Sequence, residues 1–228
     1  MSINNSHQFH IHPSLVNDDA VVIPIGELYR QMTSVLRLRK GDVVRFFDGV
    51  GNVYEGSIAH VNRDGILAPI QSRVTQPRGG ELNLAIAILK NDRMRWVLEK
   101  ATELGVTTII PMITERVVKR PEKLPPRWNH IVREAAEQSG RAWLPEIREI
   151  TGFEKALSTA EHPIVYSTVA EPSDLPDTEK PPTLFIGPEG GFTSDEIRFA
   201  EHHHAHIASL GAHQLRADTA AIVALARM

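Results

Sequence analysis

Two glycine-bearing stretches and a set of basic residues have the types and spacing that chemistry needs. In Leu184-Phe185-Ile186-Gly187-Pro188-Glu189-Gly190-Gly191-Phe192 an apolar run ends in a turn with three glycines and one proline. Ligands of α/β sheets bind outside the carboxyl ends of strands, and such a turn lets the backbone approach a ligand closely while Pro188 stiffens its start. The turn is neither a Walker phosphate loop nor a dinucleotide fingerprint. Its purely structural reading is a tight strand-to-helix connection. The second stretch, Ser209-Leu210-Gly211-Ala212-His213-Gln214-Leu215-Arg216-Ala217-Asp218-Thr219, places Arg216 just before a helix that Asp218 or Thr219 can cap. Arg216 suits a carboxylate or phosphate, or a simple pair with Glu189.

The basic residues form three groups: Lys90, Arg93 and Arg95; Arg116, Lys119, Arg120, Lys123 and Arg127; and Arg37, Arg39, Lys40 and Arg45. They fit phosphate contacts or solvated faces. Glu134, Glu137, Gln138 and Arg141 read first as structural or interface pairs. His202-His203-His204-Ala205-His206 offers two ligands on one helix face without a third, so no metal site is expected. Gly-x-Ser-x-Gly is absent, which removes support for a nucleophile-elbow hydrolase.

The elements that must position these residues fall into two kinds. Between Gly41 and Val74, short apolar runs (Val43–Phe47, Val53–Val61, Ile66–Ile70) alternate with Asp/Gly/Asn turns, which predicts a meander closing into a barrel. Leu28, Met32 and Leu36 predict a short helix over Gly26–Arg37. Residues 1–75 thus form a small β domain, and Thr75–Gly80 is the linker. From Leu82 onward strands alternate with helices. The strands are Leu82–Leu89, Val106–Met112, Ile164–Val169, Thr183–Ile186 and Ile207–Leu210. The helices are Asn91–Gly105, capped by Asn91 or Asp92, Pro126–Ser139, Thr193–His203 with a Thr193-x-x-Glu196 capping box, and Thr219–Met228. An acidic, proline-rich loop spans Glu171–Pro182. That order predicts an α/β domain on a mostly parallel sheet over 76–228.

The chain has 228 residues, 42% hydrophobic, with Lys+Arg 25 against Asp+Glu 28. That is enough apolar material for a core, and no run reaches a membrane span or resembles a signal peptide, so the expectation is a cytoplasmic protein without membrane partners. The absence of cysteine excludes disulfides, thiolate-held metals and a Cys nucleophile. A net charge of -3 taken alone argues against nucleic acid. By segment, however, residues 1–75 are neutral, 76–147 carry +3 and 148–228 carry -6. The whole-chain figure therefore hides a basic face that could hold RNA.

Taken in order, these blocks resemble the ribosomal small-subunit methyltransferase E family. They are Val35-Leu36-Arg37, Gly41-Asp42 and Phe47-Asp48-Gly49; Lys100 to Val106; Glu115-Arg116; Glu134 to Arg141 with Pro145; Ile186 to Gly191; and Leu210-Gly211 with Leu215-Arg216. The resemblance runs from about Leu28 to Ala226. It implies an N-terminal PUA-like β-barrel, a C-terminal SPOUT α/β domain with a deep trefoil knot, which ordinary topology rules exclude, and a homodimer. It implies transfer of a methyl group from S-adenosyl-L-methionine to N3 of a uridine in 16S ribosomal RNA of the 30S subunit. It would place Ile186, Gly187, Glu189, Gly190, Leu210, Gly211, Leu215 and Arg216 around the cofactor. Arg216 would then steady the uracil oxyanion and Glu189, or a water, would take the proton. Arg37, Arg39, Lys90, Arg93, Arg116 and Arg141 are the expected RNA contacts.

The chain departs from the family pattern in three places. Ala212 stands where Pro commonly follows Leu-Gly, Arg216-Ala217-Asp218-Thr219 replaces Arg-Thr-Glu-Thr, and His7-Gln8-Phe9 replaces Arg-x-Phe. A catalytically silent RNA-binding module and a nucleotide-cofactor oxidoreductase are the rival readings. Cofactor titration separates them.

Overall fold

In the computed structural model, residues 7–168, 170 and 181–228 are described. Val169 and residues 171–180 of the expected acidic loop lie outside them. The chain divides into two compact units. One comprises the described residues up to Arg78 together with Ala136–Leu144, the other Gly79–Ala135 and Pro145–Met228.

The first unit is a six-stranded sheet with a main apolar core and a smaller second one. Its elements are β1 (His7–His10), β2 (Ala20–Ile23), α1 (Glu27–Arg30), β3 (Val43–Phe47), β4 (Asn52–Ser57), β5 (His60–Asn62) and β6 (Gly65–Thr75). β1 runs parallel to β3, β3 and β4 are antiparallel, and long β6 serves β4 with its second half and β2 and β5 with its first. The ladders form an open path from β1 to β2 among the described residues. The expected helix is present in two forms, because α1 continues as a π-helical turn over Gln31–Val35 that buries Met32 completely. The expected strand Val53–Val61 breaks between β4 and β5. β1 and β2 were not expected: the mixed run His7-Gln8-Phe9-His10 hides the inward Phe9, which is 1% exposed, whereas Ala20-Val21-Val22-Ile23 is a short β-branched run that does signal a strand.

Asp48 organises the turn between β3 and β4: its carboxylate accepts from the backbone N–H groups of Val50 and Asn52 and from the Asn52 amide. Gly51 sits there at φ +102°, and a Cβ would fall 2.6 Å from the Trp143 ring, so both conformation and space demand glycine. Ala136–Leu144 joins this unit for physical reasons that no local pattern announces. Ala136 and Ala142 complete a small core with Phe47 and Val53. The Gln8 amide donates to the Arg141 carbonyl at 2.9 Å, the Glu137 carboxylate accepts from the His10 N–H at 2.9 Å, and the Trp143 indole donates to the Gln76 carbonyl at 2.9 Å.

The second unit continues with β7 (Asn83–Ala87), α2 (Asn91–Glu103), β8 (Thr108–Ile113), α3 (Arg127–Ser139, whose last turn belongs to the first unit), β9 (Glu146–Ile147), β10 (Thr151–Gly152) and α4 (Phe153–Ser158). It ends with β11 (Pro163–Tyr166), β12 (Thr183–Ile186), α5 (Ser194–His202), β13 (His206–Ala208) and α6 (Ala217–Ala226). Its seven strands are all parallel, in the order β10-β8-β7-β12-β11-β13 with β9 on β8. The central strands read as unbroken apolar runs because helices cover both faces. Leu84, Ile86, Ile109, Val165 and Phe185 are at most 2% exposed, each contributing about 1.5–3 kcal/mol of apolar burial. From edge strand β13 the chain returns to the middle of the sheet, where α6 packs on α2 and against β12 and β7. Among the described residues no helix is long and apolar enough to cross a membrane.

The helix ends refine the expectations. Lys90 rather than Asn91 or Asp92 is the N-cap of α2, without a side-chain bond, while Asp92 lies in the positive first turn. Gly105 at φ +92° closes that helix as expected. The Thr193/Glu196 capping box of α5 is complete. Helix α6 starts at Ala217, two residues before the expected Thr219. Arg216 is its N-cap, and Asp218 instead lies in the first turn with its carboxylate accepting from the Thr219 N–H at 3.0 Å.

Candidate functional site

The carboxyl ends of β11, β12 and β13 are neighbours in the sheet, with Tyr166 level with Ile186 on one side and Ala208 on the other. The loops that leave them surround one cavity of about 790 Å³. That lies within the roughly 300–1,000 Å³ of small-molecule sites.

After β12 the chain turns sharply, the Gly191 N–H donating to the Pro188 carbonyl at 2.8 Å with Gly191 at φ +68°. Phe192 folds inward against Phe153, ring centroids 5.0 Å apart. Two charged side chains fasten this loop. The Arg116 guanidinium, from the segment after β8, donates to the carbonyls of Gly190 at 2.6 Å and Phe192 at 3.3 Å. Glu196 accepts from the Thr193 N–H with one carboxylate oxygen and from the Glu115 N–H with the other, both at 2.8 Å. Gly187 faces Phe192 so closely that a Cβ would lie 3.2 Å from the ring.

After β13, the Ser209 hydroxyl bonds the backbone of Gly211, and Arg227 donates to the Leu210 carbonyl at 3.0 Å. Tyr166 closes β11. It is 7% exposed, and its hydroxyl is buried without a hydrogen-bond partner among the described residues. Burial pushes the phenol's pKa up, with Arg227 opposing, so the group is a neutral donor at physiological pH. The Ser167 N–H donates to the Ala208 carbonyl at 2.9 Å, tying the two loops.

Ile186, Gly187, Glu189, Gly190, Leu210, Gly211 and Leu215 all line this one cavity. Arg216 does not; it is exposed at the N-cap of α6, between Leu215 and Ala217, which do. Glu189 pairs with Arg93 at 3.0 Å, not with Arg216. Both members of that pair are about a third exposed (35% and 36%), so its stabilisation is at most about 1 kcal/mol. Phe192, the last residue of the first glycine-bearing stretch, lines the cavity too, and so do Tyr166, Ser167 and Thr168 at the end of β11, which were missed. The only signal for those three was that a third parallel strand ends there, since the segment has no glycine to mark it.

The remaining basic residues separate. Arg37, in the left-handed region at φ 57°, Arg39 and Lys90 are exposed. Arg93 and Arg116 hold the partners just named. Arg141 is half-buried in the first unit, and burial pushes its pKa down. The histidine run serves the end of α5: the Nδ1 atoms of His202 and His203 lie 2.7 and 2.9 Å from the carbonyls of Arg198 and Phe199.

Residues 76–228 match the family profile described as an RNA methyltransferase domain, and residues 26–70 that of an RNA methyltransferase PUA domain. The chain is 32% identical to the ribosomal RNA small subunit methyltransferase E of Synechocystis, over 98% of this chain and 77% of that one. It is 29% identical to the protein of the same name from Rickettsia conorii, over 97% and 94%. Among solved structures, the ribosomal RNA small subunit methyltransferase E of Neisseria gonorrhoeae bound to S-adenosyl methionine superposes with a TM-score of 0.86 at 30% identity, covering 98% and 97%. A Legionella pneumophila methyltransferase in complex with SAM gives 0.86 at 28%, again over 98% and 97%.

Proposed function

We infer that this chain, which belongs to the ribosomal RNA small subunit methyltransferase E family, is an S-adenosylmethionine-dependent rRNA methyltransferase. We propose further that the methyl group goes to N3 of a uridine in 16S rRNA of the 30S subunit, and that the enzyme works as a cytoplasmic homodimer. One observation carries the reading: β12 and β13, on either side of β11 in the parallel sheet, deliver the loops of the family's last two motifs to a single cavity.

The residues present fit the cofactor. The cavity is large enough for a nucleoside with an amino-acid tail. The Tyr166 hydroxyl, buried at its wall without a partner among the described residues, is a donor available to an acceptor on the ligand. Ile186, Gly187, Gly190, Leu210, Gly211 and Leu215 would hold it, with the knotted path expected of this family bringing the segments together. When bound, the cofactor supplies an electrophilic methyl group on a sulfonium.

The chain's own residues then have three tasks. The loops fix the methyl acceptor in line, which removes the entropy of encounter. Arg216, exposed beside the cavity, presents its guanidinium to the uracil oxygen on which negative charge grows as N3 loses its proton. Glu189, or a water held by it, accepts that proton, and Arg93 orients the carboxylate. The exposed Arg37, Arg39 and Lys90 contact RNA phosphates. Helix α6 supports the dimer: beyond its first turn every residue from Ala220 to Ala226 is apolar, yet Ile222 and Val223 are only half-buried in the single chain.

The test incubates the protein with labelled cofactor and 30S subunits from a methylation-deficient strain, and identifies the nucleoside by mass spectrometry. The expected product is 3-methyluridine. Another methylated base, or none, overturns the assignment.

A further inference from the structure

We propose that Arg116 is a positioning residue of the methyl-donor site, holding the Gly190-Gly191-Phe192 backbone in its binding form, rather than an RNA contact. The sequence places Arg116 in a basic segment with Lys119, Arg120, Lys123 and Arg127, where a phosphate contact is the natural reading. The structure gives its guanidinium other work. Its two donor bonds end on the carbonyls of Gly190 and Phe192, at 2.6 and 3.3 Å, on either side of Gly191. Its aliphatic stem packs on Gly190 so closely that a Cβ there would lie 3.2 Å from the Arg116 Cδ. Arg116 is also one of the residues that line the cavity.

A glycine-glycine turn has more backbone freedom to lose than any other dipeptide, so a ligand that needs one form of it must meet that cost on binding unless something else has already done so. Arg116 is that element on one side, and Glu196 on the other. Glu196 ties the Thr193 N–H to the Glu115 N–H, the residue next to Arg116. Arg120 completes the arrangement by donating to the Glu115 carbonyl at 3.0 Å. The segment after β8 is therefore stitched to the segment after β12 at Arg116, where one guanidinium nitrogen reaches both carbonyls, and at Glu115.

This inference rests on the cofactor reading of the cavity, and the experiment separates the two. Full-length wild-type, Arg116→Ala and Arg116→Lys proteins are titrated with S-adenosylmethionine and S-adenosylhomocysteine by calorimetry, and steady-state KM values are measured for cofactor and for 30S subunits. Arg116→Ala is expected to weaken cofactor binding about five- to tenfold, the scale of losing a charge-assisted hydrogen bond that is partly open to water. Its KM for cofactor rises in step while that for 30S subunits stays within about twofold. Arg116→Lys restores part of the affinity, because its ammonium keeps the charge and the donors on one nitrogen but on a shorter side chain without the guanidinium's fixed plane. A cofactor affinity within twofold of wild type for Arg116→Ala overturns the proposal, the more directly if the 30S KM rises and its salt dependence flattens, as removal of a phosphate contact requires. No cofactor binding by the wild-type chain overturns both readings.

Discussion

Replacing Tyr166 by Phe tests the cofactor site with two measurements that must move in opposite directions. The Tyr166 hydroxyl is buried with no partner among the described residues. A buried, unsatisfied polar group costs about 1–3 kcal/mol, so deleting it breaks no bond to the described residues and relieves part of that cost. For a chain of this size 1 kcal/mol moves Tm by roughly 2–4 °C. The free variant is therefore expected to melt at the wild-type temperature or a few degrees above it. With cofactor the sign reverses. The lost donor is a neutral one worth about 1 kcal/mol, or about fivefold in Kd. At a fixed excess of S-adenosylhomocysteine, the ligand-induced rise in Tm should then shrink by about 2–4 °C. Differential scanning calorimetry of both proteins, with and without ligand, reads all four temperatures. A free variant several degrees less stable than wild type, with an undiminished ligand shift, would refute the reasoning, because the hydroxyl would then serve the fold and not the ligand.

Three other substitutions bear on the fold and the chemistry. Gly51→Ala puts a Cβ against the Trp143 ring at a positive φ, and chemical denaturation should register a loss of about 1–3 kcal/mol. Thr193→Ala removes the cap of α5 and should cost about 1 kcal/mol, read as a fall of roughly 2–4 °C in Tm. Arg216→Ala should lower the methylation rate by about 10²–10³ in single-turnover assays with little change in cofactor Kd, because its guanidinium lies outside the cavity lining. Full rate with unchanged cofactor affinity would show that Arg216 does not steady the oxyanion.

What the sequence revealed follows from the range of the interactions involved. β3 and β12 were legible to the residue, since each is a short apolar run bounded by turn residues. The α5 capping box was legible because all its bonds lie within four residues. The two glycine-bearing motifs identified most of the cavity lining, for glycine at a strand end is a local mark. Tyr166 carried no such mark: it joins the site only because β11 lies between β12 and β13, a fact of sheet order. The loop contacts of Arg116 were equally invisible, because it stands as a cation among cations and its acceptors lie more than seventy residues away. Helix α4 passed unnoticed because six residues are too few to display a helical period.

The capture of Ala136–Leu144 by the first unit has a consequence for synthesis. When Arg78 leaves the ribosome, every strand of that unit exists, yet Phe47 and Val53 still lack Ala136 and Ala142, and Gln8 and Gln76 lack the partners supplied by Arg141 and Trp143. Those arrive with Leu144, 66 residues later, a delay of about 3–13 s at roughly 5–20 residues per second. During that interval β7, α2, β8 and most of α3 emerge with their own apolar faces uncovered. The amino-terminal unit therefore cannot mature as an independent first product. Its completion waits on a stretch that follows the first two strands of the second sheet in the chain, so β7 and β8 are already exposed before the first unit is whole.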